Sequence, residues 1–346
     1  MSVDPDLQVE PEQLAPWRVA LLALSRVWIA LFLLVIVGYF SVATPGHAFF
    51  QADNFKTIAL DTSEVILLAV GQTFVIVTAG IDLSVGGILV FSGVAGGLTM
   101  LNQSGTKAQT DALMYPHAGW AVPLGIVVCL LAGIGWGIFN GVIIAKLKMP
   151  PFIVTLGTLG ITFGAADLLS GGTNLSSVPT GFQNQIGNGK LLGIYVPVLI
   201  AAIVALIAWI TMRFTRFGRY TQAVGSNEEA ARRAGIKTDR HLIKVYALSG
   251  LLCGLASVID LARFGTMTLS AHNNDNLNAI AAVVIGGTSL FGGVGTIVGT
   301  VVGAFIPTVL QNGFIINGID PFWQEVLVGA TIIVAVYIDQ IRRRRL

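Results

Sequence analysis

Residues 71–90 read GQTFVIVTAGIDLSVGGILV, an apolar run with Asp82 standing in its middle among glycines and branched aliphatics. A charged side chain at mid-membrane costs a few kcal/mol, so it must face a partner, a cavity or a turn. Which of these holds decides whether the run is one helix or the junction of two. The rest of the chain sets the context. Of 346 residues, 54% are hydrophobic, 11% are charged and 41 are glycine, a balance foreign to water-soluble domains of this size. The fold class is therefore all-α and integral to the membrane.

A bilayer core about 30 Å thick takes about 20 helical residues at 1.5 Å each. Apolar stretches of that order fall at 18–42, 57–79, 84–101, 120–145, 151–170, 192–212, 243–263, 277–289, 294–312 and 322–341, which predicts ten transmembrane helices. With an even number of spans both termini share a side. Placing them in the cytosol puts 16 of the 20 Lys and Arg residues inside, as the positive-inside rule requires. The domain reading is then a disordered cytosolic tail at 1–17, acidic and without the basic start of a secretory signal, a single membrane domain at 18–341 with a cytosolic loop at 213–242, and a basic cytosolic end at 342–346. The segments at 101–119 and 170–190, rich in Gly, Ser, Asn and Thr, read as solvated external loops.

Several function classes are excluded or weakened. Net charge is only +2, which gives no footprint for nucleic acid. Cys129 and Cys253 lie singly in apolar runs, as buried small hydrophobes do, and make neither a disulfide framework nor a metal site. No GxxxxGK[ST] loop, HExxH pair or GxSxG elbow occurs, so energy for any transport has to come from an ion gradient or from another subunit.

The loop at 213–242 carries a compact helix signal. Ser226 stands at the N-cap with Glu229 three residues on as a capping box, and Gly235 is the stop, which predicts a helix over Asn227 to Ala234. Glu228 and Glu229 in its first turn and Arg232 and Arg233 in its last match the helix dipole, with Ala230 among the small residues between. Eight residues are too few to be stable alone, so something holds them. Two supports fit: an anionic lipid surface under the arginines, or a cleft on a cytosolic protein, which the glutamates suit better.

Four segments, GQTFVIVTAGIDLSVGG at 71–87, GIFNGVIIAKLKMPPFIVTLGT at 137–158, GRYTQAVGSNEEAARRAGI at 218–236 and NAIAAVVIGGTSLFGGVGTIVGTVVGA at 278–304, occur together in this order. Over roughly 55–340 the chain resembles the permease subunits of ribose-type sugar ABC importers, whose substrates include ribose, xylose and galactose. The resemblance implies a ten-helix permease similar in fold to the vitamin B12 importer type. It also implies a second permease chain, identical or different, a cytosolic ABC ATPase that holds the ATP and Mg, an extracytoplasmic solute-binding protein, and a bacterial cytoplasmic membrane location. By the same implication Ser226, Asn227, Glu228, Glu229, Ala230, Arg232, Arg233 and Gly235 form the coupling helix seated in the ATPase, and this chain binds no cofactor itself.

Three readings fit Asp82: an N-cap of the third helix accepting from Ser84 or Val85, a lining residue with Ser84 at a break in the membrane, or a proton-coupling site. Glu64, about 10 Å into its span, shares one side of the helix with Asp61 and Gln72, where acid and amide could meet sugar hydroxyls or bond a neighbouring helix. Asn140, Thr155, Thr158 and Asn278 are further pathway candidates. Asp260 is expected to pair with Arg263, Asp339 with the terminal arginines, and Asp167 lies near an outer helix end. Glycine runs such as LAGIGWGIFNG let helix backbones approach closely. TAGIDLSVGG and IGGTSLFGGVG echo one another, as glycine-rich apolar tracts do by composition alone, whereas the implied fold relates spans two to five with seven to ten, inverted. The expected function is the membrane subunit of an ATP-driven importer for a pentose, hexose or polyol. A gradient-driven transporter or channel using Asp82 or Glu64 is the alternative, and neither a nucleophile and base nor a metal-ligand set can be assembled from the motifs to support a membrane enzyme.

Overall fold

In lipid each backbone N–H and C=O must find its partner within the chain, and helices achieve this segment by segment. The computed structural model, which describes residues 16–320 and 322–344, follows that rule. Pro16–Ala43 (α1) leads through a short 3-10 turn, Pro45–Phe50, into Ala52–Val77 (α2) and then Val85–Ser104 (α3). A five-residue helix, Lys107–Asp111 (α4), precedes Ala118–Lys146 (α5) and Pro151–Ser170 (α6). Thr180–Phe182 (α7) and a π turn at Gln183–Gly187 lead to a hairpin of Lys190–Leu191 (β1) and Ile194–Tyr195 (β2). There follow Val196–Phe214 (α8), Arg216–Ser226 (α9), Glu228–Arg233 (α10), Thr238–Phe264 (α11), Asp275–Ile285 (α12), Ile297–Ile316 (α13) and Phe322–Arg344 (α14).

Each of the ten expected apolar stretches falls on a helix, and α2, α3, α5, α6, α8, α11 and α13 are long and apolar enough to cross a membrane. The stretch expected at 277–289 is different. Its helix, α12, has 11 residues and spans only about 16 Å, about half the bilayer core. Gly286 and Gly287, the latter at φ 85°, end it early. Residues 1–15 of the expected tail, and the pairing expected of Asp339, lie outside the described residues. The loops at 101–119 and 170–190 are not wholly irregular, since they hold α4, α7, the π turn and the first strand of the hairpin.

Burial ranks the helices. Over the apolar window of α2, 83% of residues are buried, against 22% for α5, so α2 is a central element and α5 presents most of its surface outward. With α3 and α11, α2 forms the heart of the bundle, filled by Leu67, Phe74, Ile88, Leu89 and Ile259. Helix α11 lies along α5 at backbone contact distance. A Cβ on Gly250 would stand 2.9 Å from the Gly137 nitrogen, and one on Gly133 the same distance from the Gly254 nitrogen. Small residues at four-residue intervals on α5 thus bring the two backbones together, as the sequence spacing predicts.

Replacing Gly250 with Val should push α5 off α11. The expected outcome is a loss of about 1–3 kcal/mol, seen as a lower midpoint of thermal unfolding in detergent. Gly157→Val, where a Cβ would meet nothing within 4 Å, should melt like the parent.

Candidate functional site

A cavity of about 710 Å³ opens between α2, α11, α12, α13 and α14, at the end of the bundle away from α9 and α10. Helix α2 supplies Asp61 and Glu64 to it, the last turns of α11 supply Asp260 and Arg263, and the first turns of α12 supply Asp275 and Asn278. His272, in the segment joining α11 to α12, is the hub. Its Nδ1 lies 2.7 Å from Asp275 Oδ2 and 3.3 Å from Glu64 Oε1, and its Nε2 lies 3.5 Å from Asp260 Oδ1. Arg263 does not pair with Asp260 as expected. It reaches across to α2 instead, pairing with Asp61 and donating to the Leu60 carbonyl at 3.1 Å, because Asp260 is turned toward the imidazole. The segment carrying His272 is held in place by main-chain bonds between Leu175 and Met267 in both directions, at 3.1 and 2.8 Å.

Asp82 lies away from this cavity, in the connection between α2 and α3, and is fully buried. Its Oδ1 accepts from the Ser84 backbone N–H at 3.0 Å and from Ser84 Oγ at 2.5 Å, and its Oδ2 accepts from Ser249 Oγ on α11 at 3.1 Å. The chain of bonds runs on. Asn140 Nδ2 on α5 donates to Ser84 Oγ at 2.9 Å, Thr158 Oγ1 on α6 donates to Asn140 Oδ1 at 2.6 Å, and Thr155 Oγ1 donates to the Ile81 carbonyl at 3.2 Å. A hydrogen-bonded network therefore ties α3, α5, α6 and α11 at the point where the second span gives way to the third. Ser249 lies 11 residues before Asp260 on α11, so Asp82 sits roughly 16 Å further along that helix than the His272 cluster.

The connection containing Asp82 also touches the one between α12 and α13. Gly293 N–H donates to the carbonyl of Val77, the last residue of α2, at 2.9 Å, and a Cβ on Gly292 would stand 2.7 Å from that of Ala79, so the two echoing glycine-rich segments are neighbours in space. The end of α9 closes this junction, with Ser226 beside Gly293.

The short helix α10 is capped one residue later than expected. Asn227 is the N-cap, accepting from the Ala230 N–H at 2.9 Å, while Ser226 ends α9 with its hydroxyl donated to the Gln222 carbonyl. The capping box with Glu229 does not form, since Glu229 pairs with Arg233 and Glu228 with Arg232 along the helix. Gly235 does adopt the left-handed stop, at φ 88°. What holds this helix is its own chain. Ala231 packs on Ala145, Val224 and Leu242, and Lys148 and Arg232 both reach Asp239, at 2.8 and 2.9 Å. Such exposed pairs contribute little each, so the apolar contact decides its position. Glu229 and Arg233 point outward, with side chains 74% and 79% exposed.

Of the pathway candidates read from the sequence, Glu64 and Asn278 line the cavity. Asp82, Ser84, Asn140, Thr155 and Thr158 belong to the internal network. Gln72 is fully buried, and neither atom of its amide has a partner among the described residues. No motif in the sequence marks His272 and Asp275. The only sequence signal for them is the polar run AHNNDN at 271–276, placed immediately before an apolar helix.

A family model described as branched-chain amino acid transport system / permease component matches residues 54–336. The ribose import permease of Escherichia coli strain K12 is 38% identical over 313 residues, covering 89% of this chain and 91% of its own. The fructose import permease of Rhizobium meliloti is 37% identical over 303 residues, 85% of this chain and 80% of its own. The galactose/methyl galactoside import permease of Haemophilus influenzae is 34% identical over 322 residues, 90% and 92% of the two chains. No solved structure matches the chain.

The cap assignment is open to test by hydrogen exchange. Asn227→Ala should cost about 1 kcal/mol of local helix stability, speeding exchange of the Ala230 to Arg233 amides about fivefold. Glu229→Ala should leave those rates near the parent's.

Proposed function

Because this chain belongs to the family of ABC importer permease components that contains the ribose, fructose and galactose import permeases, we propose that it works with a separate cytosolic ATPase and takes its solute from an extracytoplasmic binding protein. It is a transport subunit, and the transported class is a small polyhydroxylated solute such as a pentose or hexose. A second permease chain, identical or not, completes the pathway, and both termini and the α9 to α10 segment face the cytosol.

The observation that carries this reading is the placement of two features at opposite ends of one bundle. One end has a polar cavity of about 710 Å³, within the 300–1,000 Å³ usual for small-molecule sites and ample for a hexose. Its carboxylates, amides and hydroxyls match the donors and acceptors of sugar hydroxyl groups. The other end presents α10, ordered by its own chain yet with the outward side chains of Glu229 and Arg233 uncommitted to the bundle. A cytosolic ATPase seated there would act on α9. Helix α9 is pinned to α11 by Thr221 Oγ1 and His241 Nε2, 3.0 Å apart, and meets the two chain breaks at Val77 and Gly293. Force on α10 therefore has a packed route to the break at Asp82, with no flexible linker between.

Weak retention suits such a device, because a deep well along the route would slow release. The binding protein supplies most of the selectivity, and the cavity need only accept what it delivers.

Uptake of labelled ribose, fructose and galactose into proteoliposomes separates this reading from a gradient-driven one. With the chain reconstituted beside its ATPase and binding protein, uptake of at least one sugar should require ATP and persist when a protonophore collapses the proton gradient at constant ATP. Uptake that stops with the gradient, and continues without the ATPase, would favour proton coupling at Glu64 or Asp82.

A further inference from the structure

Three carboxyl groups surround one imidazole in the cavity wall, and the cations nearby do not balance them. Arg263 is engaged by Asp61 and the Leu60 carbonyl, which among the described residues leaves Glu64, Asp260 and Asp275 with His272 as their ion-pair partner. Glu64 is 8% exposed, and its one ion-pair partner among the described residues is the imidazole, at 3.3 Å. Burying an uncompensated acid in this way costs free energy unless the group takes up a proton or a further cation.

The geometry points to a divalent-cation site in the cavity wall, with Glu64, His272 and Asp275 as its protein ligands. One ligand atom from each lies within 4.8 Å of the other two. A tetrahedral ion at about 2.0–2.2 Å from its ligands sets them about 3.3–3.6 Å apart. Glu64 Oε1 already stands at 3.3 Å from His272 Nδ1, and Asp275 Oδ2, at 2.7 Å, has to withdraw by less than about 1 Å. The other face of the ring supplies an independent indication. Nε2 points at Asp260 Oδ1, 3.5 Å away and itself 4% exposed as a residue. An imidazole that offers one nitrogen to a metal and the other N–H to a carboxylate is the arrangement that orients metal-binding histidines. Asp260 is thus a positioning residue and not a ligand.

The mixed nitrogen and carboxylate set selects the class of ion. It suits Zn²⁺, Mn²⁺, Co²⁺ or Ni²⁺ better than Mg²⁺ or Ca²⁺, which prefer oxygen alone. Three protein ligands leave coordination positions open toward the cavity, where water or a solute hydroxyl fits.

Binding of Co²⁺ to the full chain in detergent, after EDTA treatment and dialysis, tests the site by visible absorption and does not depend on any transport activity. One saturable Co²⁺ per chain is expected. Glu64→Gln and His272→Gln should each raise the dissociation constant by more than about tenfold, Asp260→Asn should raise it less, and Glu325→Gln, in the same cavity but outside the ligand set, should leave it unchanged. Each variant's thermal unfolding in EDTA shows that it folds, and Asp275→Asn serves where His272→Gln does not. Absence of saturable binding, or binding that Glu64→Gln and the second ligand variant leave intact, would overturn the assignment, the latter marking a surface ion.

Discussion

A carboxyl group inside an apolar bundle has to be met by donors, and the way Asp82 is met organises this protein. Three donors converge on it, two from Ser84 and one from Ser249. Bonds to a charged acceptor contribute about 1.5–3 kcal/mol each, so together they are of the size needed to offset the few kcal/mol that an acid costs in the membrane. Because Ser249 lies on α11 and the network continues into α5 and α6, the same bonds fix where the second span stops and the third begins. The break is therefore a specified joint.

That joint is one of two. The connection between α12 and α13 comes up against it through the Gly293 to Val77 bond, and the end of α9 packs on both. Irregular backbone inside a membrane protein is tolerated where other parts of the chain satisfy it. Here each break helps satisfy the other. The half-length helix α12 follows from this design, since its early end at Gly286 and Gly287 creates the second break, while its polar beginning delivers Asp275 and Asn278 to the cavity. Cavity, joints and α10 thus lie along one packed path through α11.

Local features of this architecture were legible in the sequence, and relations between distant residues were not. Apolar length located each long helix, and Gly235 marked the stop of α10. The cap of α10 was misplaced by one residue because Ser226 and Asn227 are both good caps, and tertiary packing of Val224 in α9 carried that helix through Ser226. The demand of Asp82 for a partner was plain, yet the identity of Ser249, 167 positions away, was beyond any local pattern. The cavity cluster was hidden for the same reason. Glu64 could be placed by depth, but His272 meets it only because the α11 to α12 segment folds back over α2. Asp260 with Arg263, a plausible pair by spacing, gave way to contacts across helices.

A double-mutant cycle of Asp82→Ala and Ser249→Ala, read by thermal unfolding in detergent, tests the joint most directly. A coupling of about 1 kcal/mol or more is predicted, since either substitution alone removes their bond and the second then has less to lose. Additive effects of the two substitutions would contradict the claim that this carboxyl group clamps the junction of the second and third spans to α11.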